Sequence, residues 1–153
     1  MDIRIDFNGI TLTGDLTVVL GQLALEGGIA SSIVISLFSD GRASATDPLP
    51  FGETSRRGFW ADKLSDDPEE QTGSLLWLLY QEKQTEQTRL RAKAYAERSL
   101  QWMIRDGVAR AIEVVAEWIG YGRLGLGITV YRPDGAAERF RYEQLWDATK
   151  TAQ

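Results

Sequence analysis

The sequence of 153 residues contains neither cysteine nor histidine. Without cysteine, the chain can form no disulfide, no thiolate zinc site and no cysteine nucleophile. Without histidine, it lacks the base of the serine–histidine and cysteine–histidine catalytic pairs, and it lacks imidazole ligands for a metal. Any enzymatic chemistry would therefore depend on carboxylates, lysine, tyrosine, serine or threonine.

Positive charge and long apolar runs are also scarce. The formal net charge is −5, which disfavours nucleic acid as the main partner because phosphate binding requires a basic surface. No apolar run approaches the ~20 residues of a membrane span, and residues 1–6 lack the pattern of a signal peptide. The composition, with 43% hydrophobic and 25% charged residues, is globular and predicts a single domain over residues 1–153.

The N-terminal part of the chain gives a strand signal. Residues 2–7 alternate between polar and apolar side chains, which predicts a short strand. Asn8-Gly9 is typical of a tight turn, so a hairpin is the alternative. Residues 10–25 are apolar and partly β-branched but interrupted by glycine, and this pattern leaves strand and loop both open.

Three segments carry helical signals, separated by a long irregular stretch. Residues 29–38 place apolar side chains at three- and four-residue spacing, with serines on the other side. Residues 39–71 contain three of the four prolines and predict a long loop. Residues 73–79 are apolar nearly all round, which predicts a buried helix that Thr72 can cap. Residues 85–105 have one apolar stripe and predict the longest helix.

In the C-terminal third of the chain, the pattern of apolar residues changes from that of helices to that of strands. Residues 111–119, 124–131 and 138–145 predict three strands. Residues 120–122 and 133–135 between them are typical of hairpin turns. The fold class that we predict is therefore α+β: a three-stranded antiparallel meander packed with about three helices, plus a short N-terminal strand or hairpin.

An acidic run raises the question of catalysis. Residues 62–70 hold five carboxylates, and a glycosidase requires two carboxylates held several ångströms apart on rigid elements. Here the acids crowd a segment containing proline and serine. A solvated acidic loop is the favoured interpretation, since exposed acids are common.

Residues 56–62 combine two cations with two aromatic rings. In one interpretation the rings fill the core and the arginines pair with carboxylates. In the other the segment docks on a partner, because tryptophan and arginine dominate interface hot spots. The residues predicted to bind a partner here are Arg56, Arg57, Phe59, Trp60 and Asp62.

The five tryptophans divide by their surroundings. Trp77 and Trp102 lie on predicted helices among apolar neighbours, so we expect them in the core. Trp118 and Trp146 lie near strand ends, where an interface role is expected.

Six short segments in order resemble the Mu phage baseplate wedge protein family. They are residues 37–43, 56–62, 73–79, 95–96, 100–102 and 106–109. The family usually has Arg-Arg-Gly-Trp-Trp-Gly-Asp where this chain has Phe59 and Ala61. It is similar in turn to small baseplate proteins of T-even phages and of type VI secretion, which carry Glu-Pro-Arg where this chain has residues 105–107.

The resemblance implies a structural subunit rather than an enzyme. It would belong to the baseplate wedge of a contractile phage tail or of a prophage tail-like particle. It would bind other baseplate proteins and the tail sheath, and would help to nucleate the sheath. It would be assembled in the host cytoplasm and stay in the virion, with no cofactor, metal, nucleic acid, membrane or small-molecule substrate. The alternative function is a carboxylate-based peptidoglycan hydrolase of the tail.

One edge of the predicted sheet is a second candidate for partner binding. Residues 138–145 alternate between cationic and apolar side chains, with Arg139 and Arg141 on the polar side. An open edge has unpaired backbone groups that a partner strand can use. The alternative is that these charges guard an edge exposed to solvent.

Overall fold

The computed structural model describes residues 2–3, 5–8, 13–16, 18–19, 22–23, 25–26, 29–67, 71–120 and 122–145. Six short strands come first: β1 Asp2–Ile3, β2 Ile5–Asn8, β3 Thr13–Leu16, β4 Val18–Val19, β5 Gln22–Leu23 and β6 Leu25–Glu26. They pair antiparallel as β1 with β6, β2 with β3, and β4 with β5. Only the backbone of these pairs is described. The short N-terminal strand or hairpin that the sequence indicates stays a prediction.

The first helix, α1, spans Ala30–Phe38, as the apolar spacing predicts. Ile33 and Leu37 are fully buried on its inner face. The expectation that the serines form the polar side is wrong for Ser31 and Ser36, which are also buried. The Ser36 hydroxyl accepts a hydrogen bond of 2.9 Å from Trp102 Nε1, and this bond satisfies both that hydroxyl and the indole N–H.

The longest helix, α2, spans Glu86–Arg105. It begins at Thr85, whose hydroxyl accepts a 3.1 Å hydrogen bond from the Thr88 amide. It ends before Gly107, which has a φ of +76° and so suits the end of a helix. The predicted stripe faces the core: Ala92, Ala96, Leu100 and Met103 are buried, and Tyr95 and Ser99 of the same stripe are half-buried.

The segment predicted as a third helix is a 3₁₀ helix, Leu76–Leu79. A longer helix is excluded by Gly73, whose φ is +93°, and by Ser74, which pairs with the end of α1. The Ser74 amide donates to the Ser39 carbonyl at 2.9 Å, and the Gly41 amide donates to the Ser74 carbonyl at 2.8 Å. Thr72 is therefore no cap. The prediction of burial is confirmed, since all four residues of the 3₁₀ helix are buried.

The C-terminal meander is confirmed. Its strands are β7 Ala111–Trp118, β8 Arg123–Tyr131 and β9 Ala137–Leu145, with β8 in the centre. One sheet face packs on α2 and contributes Val114, Leu124, Leu126, Ile128 and Val130 to the core. Each such side chain stabilises the fold by about 1.5–3 kcal/mol on burial.

The architecture is thus α+β, and the described residues form two α-helices rather than about three. Between α1 and Leu76–Leu79 the described residues are irregular apart from two further 3₁₀ helices, Pro50–Gly52 and Trp60–Leu64. Within the described part of the chain, no helix is long and apolar enough to cross a membrane.

Candidate partner-binding site

Arg57 fixes the conformation of residues 56–62, the segment with two cations and two aromatic rings. Its φ is +54° and that of Gly58 is +109°, so two successive residues occupy backbone regions that L side chains rarely adopt. The Arg57 guanidinium donates to Asp40 at 2.9 Å and to both carboxylate oxygens of Glu53. It also lies 4.4 Å from the centre of the Trp77 ring. Together these contacts hold a backbone that would otherwise be strained.

The electrostatic balance at Arg57 favours its charged form. Burial by itself lowers the pKa of the guanidinium. The hydrogen bonds and negative charges of Glu53 and Asp40 outweigh that effect, and the net result is a pKa above its ordinary value. Arg57 therefore stays a cation at any physiological pH and keeps both carboxylates paired.

Arg56 is also engaged within the chain. Its guanidinium donates to the carbonyl of Ser44 and, at 3.0 Å, to the carbonyl of Asp47. Its own carbonyl accepts a 2.9 Å hydrogen bond from the Ala43 amide. Both arginines thus brace the loop. Arg57 pairs with carboxylates, as the core-filling interpretation has it, whereas these bonds of Arg56 go to backbone carbonyls.

The two aromatic rings next to them do not fill the core. Phe59 is 40% exposed and Trp60 is 70% exposed. Their ring centres lie 5.7 Å apart at an interplanar angle of 47°. Leu64, at the other end of the 3₁₀ helix Trp60–Leu64, is 76% exposed. We refer to Phe59, Trp60 and Leu64, three exposed apolar residues within six positions of the chain, as the aromatic patch; exposed large apolar side chains in contact, as the two rings are, are characteristic of interaction sites.

Asp62 secures the base of the aromatic patch. Its carboxylate accepts a 2.9 Å hydrogen bond from the Thr72 amide, and its own amide donates to the Phe59 carbonyl at 3.2 Å. The patch is therefore tied to the segment that leads into the buried 3₁₀ helix Leu76–Leu79. Its rigidity reduces the conformational entropy that binding would cost.

The two remaining predicted residues lie elsewhere, on the exposed face of β9. Arg139 and Arg141 are both exposed. Arg141 Nη2 donates to the Glu117 carboxylate on β7 at 2.9 Å, reaching across the central strand β8. Gly125 on β8 leaves room for this, because a Cβ there would lie 2.4 Å from Ile119 and 3.4 Å from Arg141. The structure thus groups residues 56–62 in one place and the β9 arginines in another.

The hairpin geometry shows which backbone groups of β9 point away from β8. The Arg132 amide donates to the Ala136 carbonyl at 2.8 Å, which makes that pair a hydrogen-bonded one. Pairs alternate along an antiparallel ladder, and the register continues without interruption to the end of β9. Arg139, Arg141 and Glu143 therefore stand opposite β8 in non-hydrogen-bonded pairs, and their amides point outward.

The acidic run does not bring carboxylates into a buried site among the described residues. Asp62 is half-buried and bonds to Thr72, while Asp66 and Asp67 are exposed. The buried polar side chains of the described part are all hydroxyl-bearing: Ser31, Ser36, Ser74 and Thr88. A general acid needs burial to raise its pKa, and residues 68–70 lie outside the described ranges.

Sequence reasoning missed the residues that support Arg57. Asp40 and Glu53 stand 17 and four residues before it, and no periodic pattern connects them. Leu64 was missed because a single apolar residue in an acidic segment carries little signal. The prediction for Trp77 is confirmed by its 1% exposure, and Trp102 is half-buried against the core. Trp118 donates to the Thr85 carbonyl, and Trp146 lies outside the described residues.

Comparisons with known proteins show the family of this chain. Residues 29–137 match the family model of phage protein GP46. The chain is 38% identical over 126 residues to baseplate protein gp46 of Escherichia phage Mu, covering 82% of this chain and 85% of that protein. It is 37% identical over 133 residues to Mu-like prophage FluMu protein gp46 of Haemophilus influenzae, covering 87% of this chain and 90% of the relative. The chain therefore belongs to the GP46 family of phage proteins.

Proposed function

We propose that this chain is a structural subunit of a contractile-tail baseplate, in a phage or in a prophage tail-like particle. It binds neighbouring wedge proteins, helps to nucleate the tail sheath, is assembled in the host cytoplasm and remains in the particle. The name of the phage Mu relative, baseplate protein gp46, supports the baseplate role. The fold is consistent with a scaffold, because polar side chains hold the loop of residues 56–62 in place and the sheet ends in the edge strand β9.

The observation that carries the proposal is the aromatic patch. Trp60 is 70% exposed on a loop whose backbone is fixed by Arg57 through Asp40 and Glu53. A large ring left in water on a rigid loop has an unfavourable hydration that a partner can relieve. Tryptophan is also among the residues that contribute most to interface affinity. The loop therefore serves as a preorganised anchor, with Phe59, Trp60 and Leu64 as the contacts.

In this proposal the two arginines have a different task from the rings. The guanidinium groups of Arg56 and Arg57 donate hydrogen bonds to groups within the chain. They position the anchor rather than contact the neighbour. Asp62 acts in the same way through its hydrogen bond to the Thr72 amide.

The outer edge of β9 is the second contact that we propose. Three outward amides, those of Arg139, Arg141 and Glu143, follow from the register of the hairpin. A strand from the sheath or from a wedge protein can add to this edge through backbone hydrogen bonds. The competing role is protective, since charged side chains on an edge strand discourage unwanted pairing.

The direct test of the proposed function is the composition of the particle. Particles are purified from induced cells and their proteins are quantified by mass spectrometry. We expect this chain at a fixed ratio to the other baseplate proteins, and we expect cells without the gene to yield no assembled tails. A chain that is abundant in the lysate but missing from particles would contradict a structural role.

A further inference from the structure

A groove between α1 and α2 is not used by the contacts proposed so far. It has a volume of about 710 Å³ and is closed on one side by residues 71–75. Its lining includes Ile35 and Ser36 of α1 together with Tyr95, Arg98, Trp102 and Arg105 of α2. The hydrogen bond that the Thr72 amide donates to the Asp62 carboxylate places the aromatic patch next to this wall.

The groove combines an apolar floor with polar rims. Ile35 is 40% exposed, although its neighbours on α1 are buried. Tyr95 and Trp102 are half-buried, and the Trp102 indole donates across the floor to Ser36 at 2.9 Å. Such a surface suits a polypeptide segment, whose backbone needs polar partners and whose side chains can cover exposed apolar groups.

The charge of the groove is opposite to that of the whole chain. The net charge of the protein is −5, yet the described lining holds Arg98 and Arg105 against a single carboxylate, Asp106. Asp106 faces Arg105 at 3.4 Å. Arg98 forms no ion pair with any described residue and is exposed. The groove is therefore a local site for negative charge.

We infer that the groove binds an extended acidic segment of a neighbouring baseplate protein. This rests on the proposed function, because the partner is a component of the same assembly. Carboxylates of the segment pair with Arg98 and, in competition with Asp106, with Arg105. Its apolar side chains lie on Ile35 and Trp102.

The inference can be tested on the purified full-length chain with a defined probe. An eight-residue peptide of alternating glutamate and serine is titrated into the isotopically labelled protein and followed by NMR. We expect shifts of the Trp102 indole N–H and of the Ser99 amide, weakening as salt is added. The matched peptide of lysine and serine should leave these signals in place.

Charge-reversal variants decide whether Arg98 is responsible. Arg98→Glu should weaken binding of the acidic peptide by about fivefold or more. Arg110→Glu makes the same charge change at an exposed site outside the groove and should have no effect. Equal losses in both variants, absence of shifts at Trp102, or the same shifts with inorganic phosphate would each overturn the inference.

The outcomes separate the groove from the function. If the acidic peptide fails to bind while the chain is still found in particles, the groove inference is wrong and the structural role stands. If the chain is absent from particles, the structural role fails whatever the peptide does. In assembly, Arg98→Glu should reduce the yield of tails while Arg110→Glu does not; equal yields from the two would also count against the groove.

Discussion

The Arg57 guanidinium lies 4.4 Å from the centre of the buried Trp77 ring. Trp77 in turn donates its indole N–H to the Gly41 carbonyl at 2.9 Å. A core residue is thus connected through the stacked Arg57 cation to the loop that presents Phe59 and Trp60, and through a hydrogen bond to the turn that follows α1. The structural relationship explains how a segment with little regular structure can hold two rings in fixed positions.

The first prediction concerns Arg57. Arg57→Lys keeps the charge but cannot form the two-pronged pair with Glu53 while stacking on Trp77. We expect a loss of about 1–2 kcal/mol in the free energy of unfolding, measured with urea. We also expect greater acrylamide quenching of tryptophan fluorescence. Arg42→Lys, at an exposed site, is the control, and equal stability of the two variants would show that the brace is absent.

The second prediction concerns the turn that ends α1. In Gly73→Ala, the new Cβ would lie 2.4 Å from the Ser39 carbonyl oxygen at a φ of +93°. The pairing of Ser39 with Ser74 must then break. We expect the free energy of unfolding to fall by about 2–4 kcal/mol.

The matched control for this turn is Gly135→Ala. Gly135 has a similar φ of +92° but nothing within 4 Å of the added Cβ. Gly135→Ala should lower the free energy of unfolding only by the cost of placing alanine in a left-handed backbone conformation, about 1–2 kcal/mol. Denaturant midpoints measure the stability of both variants. If Gly73→Ala is no less stable than Gly135→Ala, the close approach to the Ser39 carbonyl is unimportant.

The third prediction concerns the outer edge of β9. Arg141→Pro removes an outward amide, so the isolated protein should keep its fold, since proline is tolerated on an edge strand. Tail assembly should fall if a partner strand uses that amide. Arg141→Ala removes the same side chain, including its pair with Glu117, but keeps the amide and serves as the control.

Hydrogen exchange gives an independent reading of the same edge. The amides of Arg139, Arg141 and Glu143 should exchange quickly in the free protein and become protected in the assembled wedge. If they gain no protection, strand addition at β9 is wrong and the edge charges are protective.

The sequence was informative wherever a periodic pattern coincided with burial. The stripe of α2 identified Ala92, Ala96, Leu100 and Met103 as core residues, and the structure buries all four. The meander was predictable because two short turns separate three segments that each carry a strand signal. In both cases the signal is local, and a buried face needs the same spacing whatever it packs against.

Interactions between distant residues were not predictable from the pattern. The 3₁₀ helix Leu76–Leu79 is short because Ser74 pairs with Ser39, 35 residues earlier in the chain. Ser36 is buried because Trp102, 66 residues away, supplies its hydrogen bond. The brace at Arg57 depends on Asp40 in the same way. Composition showed that residues 56–62 were unusual, but it could not separate the bracing arginines from the exposed rings.

The central claim is that the exposed ring of Trp60 anchors the chain in a baseplate. The most direct measurement counts intact tails by electron microscopy in cells whose phage lacks this gene and is complemented by a variant. Trp60→Ala should unfold at nearly the wild-type denaturant midpoint, within about 0.5 kcal/mol, yet yield few intact tails. Trp77→Ala should instead lose about 3–5 kcal/mol of stability. Normal tail numbers with a stably folded Trp60→Ala chain would contradict the account.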